Sequence, residues 1–195
     1  TMLYLKNCHI IDEVSDYIDD ILIDSGKIKL IGKAKITNYI TEKNQEALLP
    51  DLHVQTKLDI LELDLCNRLV MPAFVDLHFH MRNPGQEHKE TLLSANKAAI
   101  KGGYTDLLAM ANTNPVIDNK TLITEIIEKN NSLGMTRLLQ VSAVTKGLNG
   151  KALVDFEENR KATRFFSDDG KNIDDERIMR EALLASKQHD FIILD

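Results

Sequence analysis

The pattern of hydrophobic positions changes near residue 65. Before it, short segments alternate apolar and polar side chains, the period of half-buried strands. The predicted strands are residues 2–11, 20–24, 27–32 and 58–65. Ser25-Gly26 between the second and third is a hairpin-like turn. We interpret residues 1–65 as a small β-domain, and the polar segment 33–57 as a loop or insertion within it.

From residue 70 onward, predicted strands alternate with predicted helices. The strands are 70–77, 104–110, 137–144, 163–166 and 191–194. Two of the predicted helices are 90–101 and 151–160. A third is capped by Asp118 or Asn119 and runs to about 131, and a fourth is capped by Asp174 or Asp175 and runs to about 188. Apolar strands in repeated strand–helix units predict a parallel sheet covered by helices.

A β/α barrel needs eight strand–helix units, and residues 66–195 supply about half of them. The last predicted strand is fully apolar and nothing follows it. We therefore interpret 66–195 as the first half of a barrel and expect the chain to be part of a longer one. A doubly wound open sheet is the structural alternative.

Composition and charge narrow the class of protein. Hydrophobic residues are 43% and charged residues 28% of 195, which is typical of globular chains. No apolar run reaches the roughly 18 residues of a membrane span, and no secretion signal is evident. The net charge of −6 disfavours nucleic-acid and anionic-membrane partners. Two cysteines are too few for a disulfide scaffold, so we expect a cytoplasmic protein.

The first barrel strand leads into a row of polar side chains with a period of two. In an extended chain, residues two apart share a face, so His78, His80 and Arg82 would point the same way. Two imidazoles on one face can bind one divalent metal such as Zn²⁺. Asp76 on that face would restrain the pair. Arg82 offers a donor fork that matches a carboxylate. An exposed strand without a role is the alternative.

Two further strand ends carry candidate side chains. Asn112 follows the second barrel strand and offers both a donor and an acceptor. It would share a substrate carboxylate with Arg82, or serve as a turn residue. Asp168 and Asp169 follow the fourth strand, where adjacent carboxylates are costly without a cation. One of the two is a candidate metal ligand that could lie between two metals, with a cap or turn as the alternative.

Three segments in order, MPAFVDLHFHMRNPGQEHKET, KGGYTDLLAMANTNPVID and FFSDDG, resemble the amidohydrolase superfamily. Within it, they are most similar to bacterial-type dihydroorotases, in which an aspartate bridges the metals. The resemblance covers roughly residues 65–195. It implies an α/β fold, a metal-dependent (β/α)8 barrel present as about its first half. The strands before it resemble the flanking β-sandwich of the superfamily.

The resemblance implies a hydrolase that interconverts (S)-dihydroorotate and N-carbamoyl-L-aspartate in pyrimidine biosynthesis, with one or two Zn²⁺. His78 and His80 would bind the more buried metal, and Asp169 would bridge the two metals, with Asp168 as the alternative. Arg82 and Asn112 would hold the substrate carboxylate. A metal-activated hydroxide would attack the ring amide.

The chain also departs from the pattern of this family. Ala111 stands where proline is usual and Ala73 where glycine is common. The resemblance places the remaining ligands and the catalytic aspartate beyond residue 195, so we expect the isolated 195-residue chain to be inactive. It suggests two candidate protein partners, a second copy of the chain and an aspartate carbamoyltransferase.

Two other functions remain open. An allantoinase or hydantoinase would share the fold and the histidine pair, but Arg82 favours a ring that carries a carboxylate. A non-catalytic scaffold of aspartate carbamoyltransferase would usually have lost ligands, whereas His78, His80 and Asp169 are present.

Overall fold

A computed structural model describes residues 1–46 and 58–194. The chain forms two compact units, Thr1–Pro72 and Ala73–Asp195. The sequence placed this boundary between residues 65 and 66. The predicted strand 70–77 is in fact two strands separated by residues 71–73. Pro72 lies in this gap, and its lack of an N–H donor accounts for the break.

The first unit contains one mixed sheet. Its strands are β1 (Met2–Ile11), β2 (Asp16–Asp24), β3 (Lys27–Ile31), β4 (Ile60–Asp64) and β5 (Leu69–Val70). The order is β3-β2-β1-β4, and β5 also pairs with β1. The pairs β1–β2 and β2–β3 are antiparallel, whereas β4 and β5 run parallel to β1. The described residues of this unit form this one sheet, so the β-sandwich stays a prediction.

Helix α1 (Lys33–Glu46) corrects the interpretation of 33–57 as a loop or insertion. Residues 47–57 of that segment lie outside the described part of the chain. The helix is mostly polar, but Ile36 and Ile40 are one turn apart and pack on the sheet, with Ile36 fully buried. Packing on the sheet therefore stabilises this helix. The mostly polar composition of the segment gives little indication of that packing.

The second unit alternates strands and helices. Its elements are β6 (Phe74–Phe79), α2 (Leu92–Lys101), β7 (Tyr104–Ala109), α3 (Lys120–Leu133), β8 (Arg137–Gln140), α4 (Phe156–Asn159), β9 (Phe165–Phe166), α5 (Glu176–His189) and β10 (Ile192–Ile193). Strands β6-β7-β8 and β9-β10 form parallel sheets, linked by a parallel bridge between Ser142 and Phe166. Within residues 73–194 the strands follow chain order, without the reversal that defines a doubly wound sheet.

Side-chain caps explain where the helices of this unit begin. Asn119 accepts a hydrogen bond from the Leu122 N–H at 3.1 Å, and Asp175 accepts one from the Arg177 N–H at 2.9 Å. Helix α4 is shorter than the predicted 151–160. Its cap is Asp155, and the Val154 N–H just before it donates to the Val144 carbonyl at 3.0 Å. That tertiary pairing keeps residues 151–154 out of the helix.

Two apolar clusters hold the helices against these strands. The larger one joins α2 and α3 to β7 and β8, around fully buried side chains such as Leu107 and Ile123. In the other, the rings of Phe156, Phe166 and Phe191 pack with centroids 4.4–5.2 Å apart. The carboxyl ends of the strands consequently meet at one edge. None of the helices in the described ranges is long and apolar enough to cross a membrane.

Candidate metal centre

His78, His80 and Asp169 come together at the carboxyl edge of the parallel strands. His78 is the penultimate residue of β6, His80 follows that strand directly, and Asp169 lies three residues after β9. His78 Nε2 is 3.3 Å from Asp169 Oδ1, and His80 Nε2 is 3.6 Å from Asp169 Oδ2. Residues about 90 positions apart in sequence thus form one cluster because parallel strands end at the same edge.

The donor set and its spacing fit a divalent metal ion. One ligand atom from each of the three residues lies within 4.8 Å of the others. Ligand bonds of about 2.0–2.2 Å in a tetrahedral site put neighbouring donors roughly 3.3–3.6 Å apart. The two distances from a histidine nitrogen to an Asp169 oxygen, 3.3 and 3.6 Å, lie in this range. Two imidazoles and a carboxylate are ligands that Zn²⁺ accepts. His78 is the most open of the three, with 57% of its side chain exposed.

Asn112 connects two of these side chains. Its Nδ2 donates a hydrogen bond to Asp169 Oδ2 at 2.9 Å, and its Oδ1 lies 3.1 Å from His80 Nδ1. The residue follows β7 by three positions, at the same edge of the strands. The structure therefore brings together four of the five side chains chosen from sequence, His78, His80, Asp169 and Asn112.

Asp168 has a different environment from its neighbour. It is buried, and its Oδ1 accepts hydrogen bonds from the backbone N–H groups of Val144 and Thr145 at 2.7 and 3.0 Å. Its Oδ2 accepts one from the Thr145 hydroxyl. These donors occupy the Asp168 carboxylate, whereas Asp169 faces the histidines. Sequence reasoning missed Thr145, for which no motif gave a signal.

Arg82 does not continue the row of His78 and His80. Strand β6 ends at Phe79, and Arg82 has a left-handed backbone with φ of 58°. The period of two therefore stops before Arg82, because it applies only to extended backbone. Among the described residues its guanidinium has no hydrogen-bond or ion-pair partner. Asp76 accepts a hydrogen bond from the His78 N–H at 3.0 Å, so it restrains the backbone of the pair.

The loop between β6 and α2 braces the segment that carries Asn112, and sequence reasoning missed this contact as well. The Gln86 side chain donates to the Asn112 carbonyl at 3.3 Å, and the Asn114 N–H donates to the Pro84 carbonyl at 3.1 Å. Gly85 has φ of 85°, and a Cβ there would lie 1.8 Å from the Asn114 carbonyl oxygen. The Asn-Pro-Gly sequence was the available signal, since such turns require glycine at a positive φ.

A cleft of about 220 Å³ opens beside His78 and Asp169. Its wall includes Lys171, Asn172 and Met179, which follow Asp169 in the chain. Two of the three candidate ligands thus border an open space. Apolar and charged side chains both line this space, as is usual for a ligand cleft.

Comparison with known proteins gives related chains and related folds. The family profile described as "Dihydro-orotase-like" matches residues 67–195. The dihydroorotase of Aquifex aeolicus (strain VF5) is 35% identical over 196 residues, which cover 99% of this chain and 42% of that protein. The dihydroorotase of Sulfurihydrogenibium sp. (strain YO3AOP1) is 37% identical over 185 residues, 93% and 39% of the two chains.

Solved structures with this fold include two hydantoinases. The L-hydantoinase (dihydropyrimidinase) from Arthrobacter aurescens superposes with a TM-score of 0.68 at 17% identity, over 98% of this chain and 39% of that one. A D-hydantoinase superposes with a TM-score of 0.63 at 20% identity, over 99% and 39%. These likenesses show a shared mixed α/β fold. The chain spans about two fifths of the length of these relatives.

Proposed function

The chain belongs to the dihydro-orotase-like family, and from this membership we propose that the protein interconverts (S)-dihydroorotate and N-carbamoyl-L-aspartate. The observation that carries the proposal is the cluster of His78, His80 and Asp169 at the carboxyl edge of the strands. Relatives named dihydroorotase, 35–37% identical over 93–99% of the chain, support this substrate. The proposed reaction is a step of pyrimidine biosynthesis.

The second unit is, in this proposal, the first half of a (β/α)8 barrel. Its strands are parallel and run in chain order from β6 to β10. A barrel uses this order, and its active site lies where the strands give way to the following loops. The position of the three candidate ligands at that edge agrees with this reading.

We propose Zn²⁺ as the metal and His78, His80 and Asp169 as its ligands in this part of the chain. When bound, the metal supplies Lewis-acid polarisation of the ring amide carbonyl. The two histidines contribute neutral donors and Asp169 contributes a negative charge. Asp169 remains the proposed bridge between two metals, because the carboxylate of Asp168 already accepts three hydrogen bonds within the protein.

Arg82 and Asn112 are the proposed ligands of the substrate carboxylate. The Arg82 guanidinium has no partner in the described residues, so an anion could take its donors. Asn112 Nδ2 uses one hydrogen for Asp169, which leaves the other for a ligand. A ring without a carboxylate would leave the Arg82 guanidinium without a counter-charge. This requirement favours dihydroorotate over hydantoin or allantoin.

The test compares hydrolysis of dihydroorotate, hydantoin and allantoin by the full-length protein, together with its zinc content. We expect activity on dihydroorotate, and loss of both zinc and activity in His80→Ala. The control is His88→Ala, because His88 is an exposed loop histidine outside the cluster. Hydrolysis of hydantoin alone would refute the substrate. A zinc-free wild-type protein without activity would favour the scaffold reading.

A further inference from the structure

We propose that Asn112 is a positioning residue that fixes the tautomer of His80, so that the Nε2 lone pair of His80 is available to a metal. The inference rests on the metal centre of the proposed function. It gives Asn112 a role in assembling the ligands, in addition to its proposed contact with the substrate.

The orientation of the Asn112 amide follows from Asp169. An ionised carboxylate can only accept hydrogen bonds. The amide group that lies 2.9 Å from Asp169 Oδ2 must therefore be Nδ2. This assignment turns the amide oxygen, Oδ1, toward His80.

The tautomer of His80 follows from the amide in turn. His80 Nδ1 lies 3.1 Å from Asn112 Oδ1, which only accepts hydrogen bonds. A bond between them requires the proton on Nδ1. In a neutral ring Nε2 then carries the lone pair, and this atom lies 3.6 Å from Asp169 Oδ2 within the ligand cluster. A partner that fixes one ring nitrogen in this way prepares the other for a metal.

The other histidine of the pair lacks this arrangement. His78 Nε2 faces Asp169 Oδ1 at 3.3 Å, and its Nδ1 has no hydrogen-bond partner among residues 1–46 and 58–194. The centroids of the two rings are 5.1 Å apart, and the Nε2 atoms of both face the Asp169 carboxylate. They therefore form an internal comparison: the Asp169 carboxylate favours the proton on Nε2 of His78, whereas Asn112 Oδ1 favours the proton on Nδ1 of His80.

Hydrogen bonds to a neighbouring loop hold the segment that carries Asn112 in position. Its backbone carbonyl accepts the Gln86 side chain, and two residues later the Asn114 N–H donates to the Pro84 carbonyl. These bonds join it to the loop that follows the histidine pair. The amide therefore keeps its position before any ligand arrives, which lowers the entropy cost of assembling the site.

The first experiment records the nitrogen NMR signals of the histidine rings in the metal-free full-length protein, at a pH where both rings are neutral. We expect His80 as the Nδ1–H form and His78 as the Nε2–H form, because the acceptor nearest to each ring lies at a different nitrogen. In Asn112→Ala, His80 should shift toward the Nε2–H form. Asn131→Ala is the matched control, because Asn131 is exposed on α3 and away from the site. His80 in the Nε2–H form in the wild-type chain overturns the proposal without any variant.

The second experiment measures zinc affinity by competition with a chelator. Loss of a residue that orients a ligand typically weakens binding about 10- to 100-fold, so we expect this decrease in Asn112→Ala and none in Asn131→Ala. Equal affinity of the folded Asn112→Ala and wild-type chains overturns the role of Asn112 alone. A wild-type chain that binds no zinc overturns the proposed metal centre itself.

Discussion

Replacing Asp168 and Asp169 in turn should separate a structural carboxylate from a ligand. Asp168→Ala removes the acceptor for the N–H groups of Val144 and Thr145, both buried. A buried donor left without a partner costs about 1–3 kcal/mol. Two donors lose their acceptor, and rearrangement or an entering water molecule would satisfy them in part. We therefore expect the unfolding free energy to fall by about 3 kcal/mol.

Asp168→Asn is the milder change. It keeps an oxygen for the two N–H groups, and the Thr145 hydroxyl can rotate to accept from the new amide. We expect a cost of about 1 kcal/mol. Asp169→Ala loses one hydrogen bond, from Asn112, at a partly exposed position. Its cost in stability should be below about 1 kcal/mol, while zinc binding is lost.

The assays are urea unfolding and zinc content, measured on the full-length protein and on each variant of it. Stability should fall most in Asp168→Ala, and zinc should disappear in Asp169→Ala and Asp169→Asn. Asp168→Asn should keep its zinc. The reasoning would be refuted by equal destabilisation from both alanine variants, or by zinc loss in Asp168→Asn with zinc retained in Asp169→Asn.

Two further predictions concern the loop brace and a helix cap. Gly85→Ala should lower the unfolding free energy by about 2 kcal/mol or more and weaken zinc binding, because its Cβ would collide with the Asn114 carbonyl at a positive φ; urea unfolding that matches wild type would contradict this. Two hydrogen bonds from Arg177 lower the pKa of Asp175 to about 2. The bond from the Arg177 side chain has the larger effect, and the bond from its backbone N–H has the smaller one. This cap therefore stabilises the fold at pH values above about 4, and the contribution is lost as the pH falls toward 2. Asp175→Ala should lower the urea midpoint at pH 7, and the difference from wild type should shrink between about pH 4 and pH 2; a difference independent of pH would contradict the assignment.

Local patterns predicted much of the second unit because its sequence signals agree with its packing. Asn119 and Asp175 lie at the starts of α3 and α5, where their side chains cap the first turn. Helix α1 was missed because its composition is mostly polar. Its few apolar residues stabilise a helix only when they pack on the sheet. The predicted strand 70–77 was wrong across residues 71–73.

The sequence by itself determined the alternation of strands and helices and the spacing of His78 and His80, because period and capping are local properties. The quoted motifs also indicated the family, to which the chain belongs. Which of two adjacent carboxylates meets those histidines was decided by tertiary structure. Asp168 accepts hydrogen bonds from N–H groups more than 20 residues away in the chain. Those donors take up one carboxylate, so that its neighbour Asp169 lies beside Asn112 and the histidine pair.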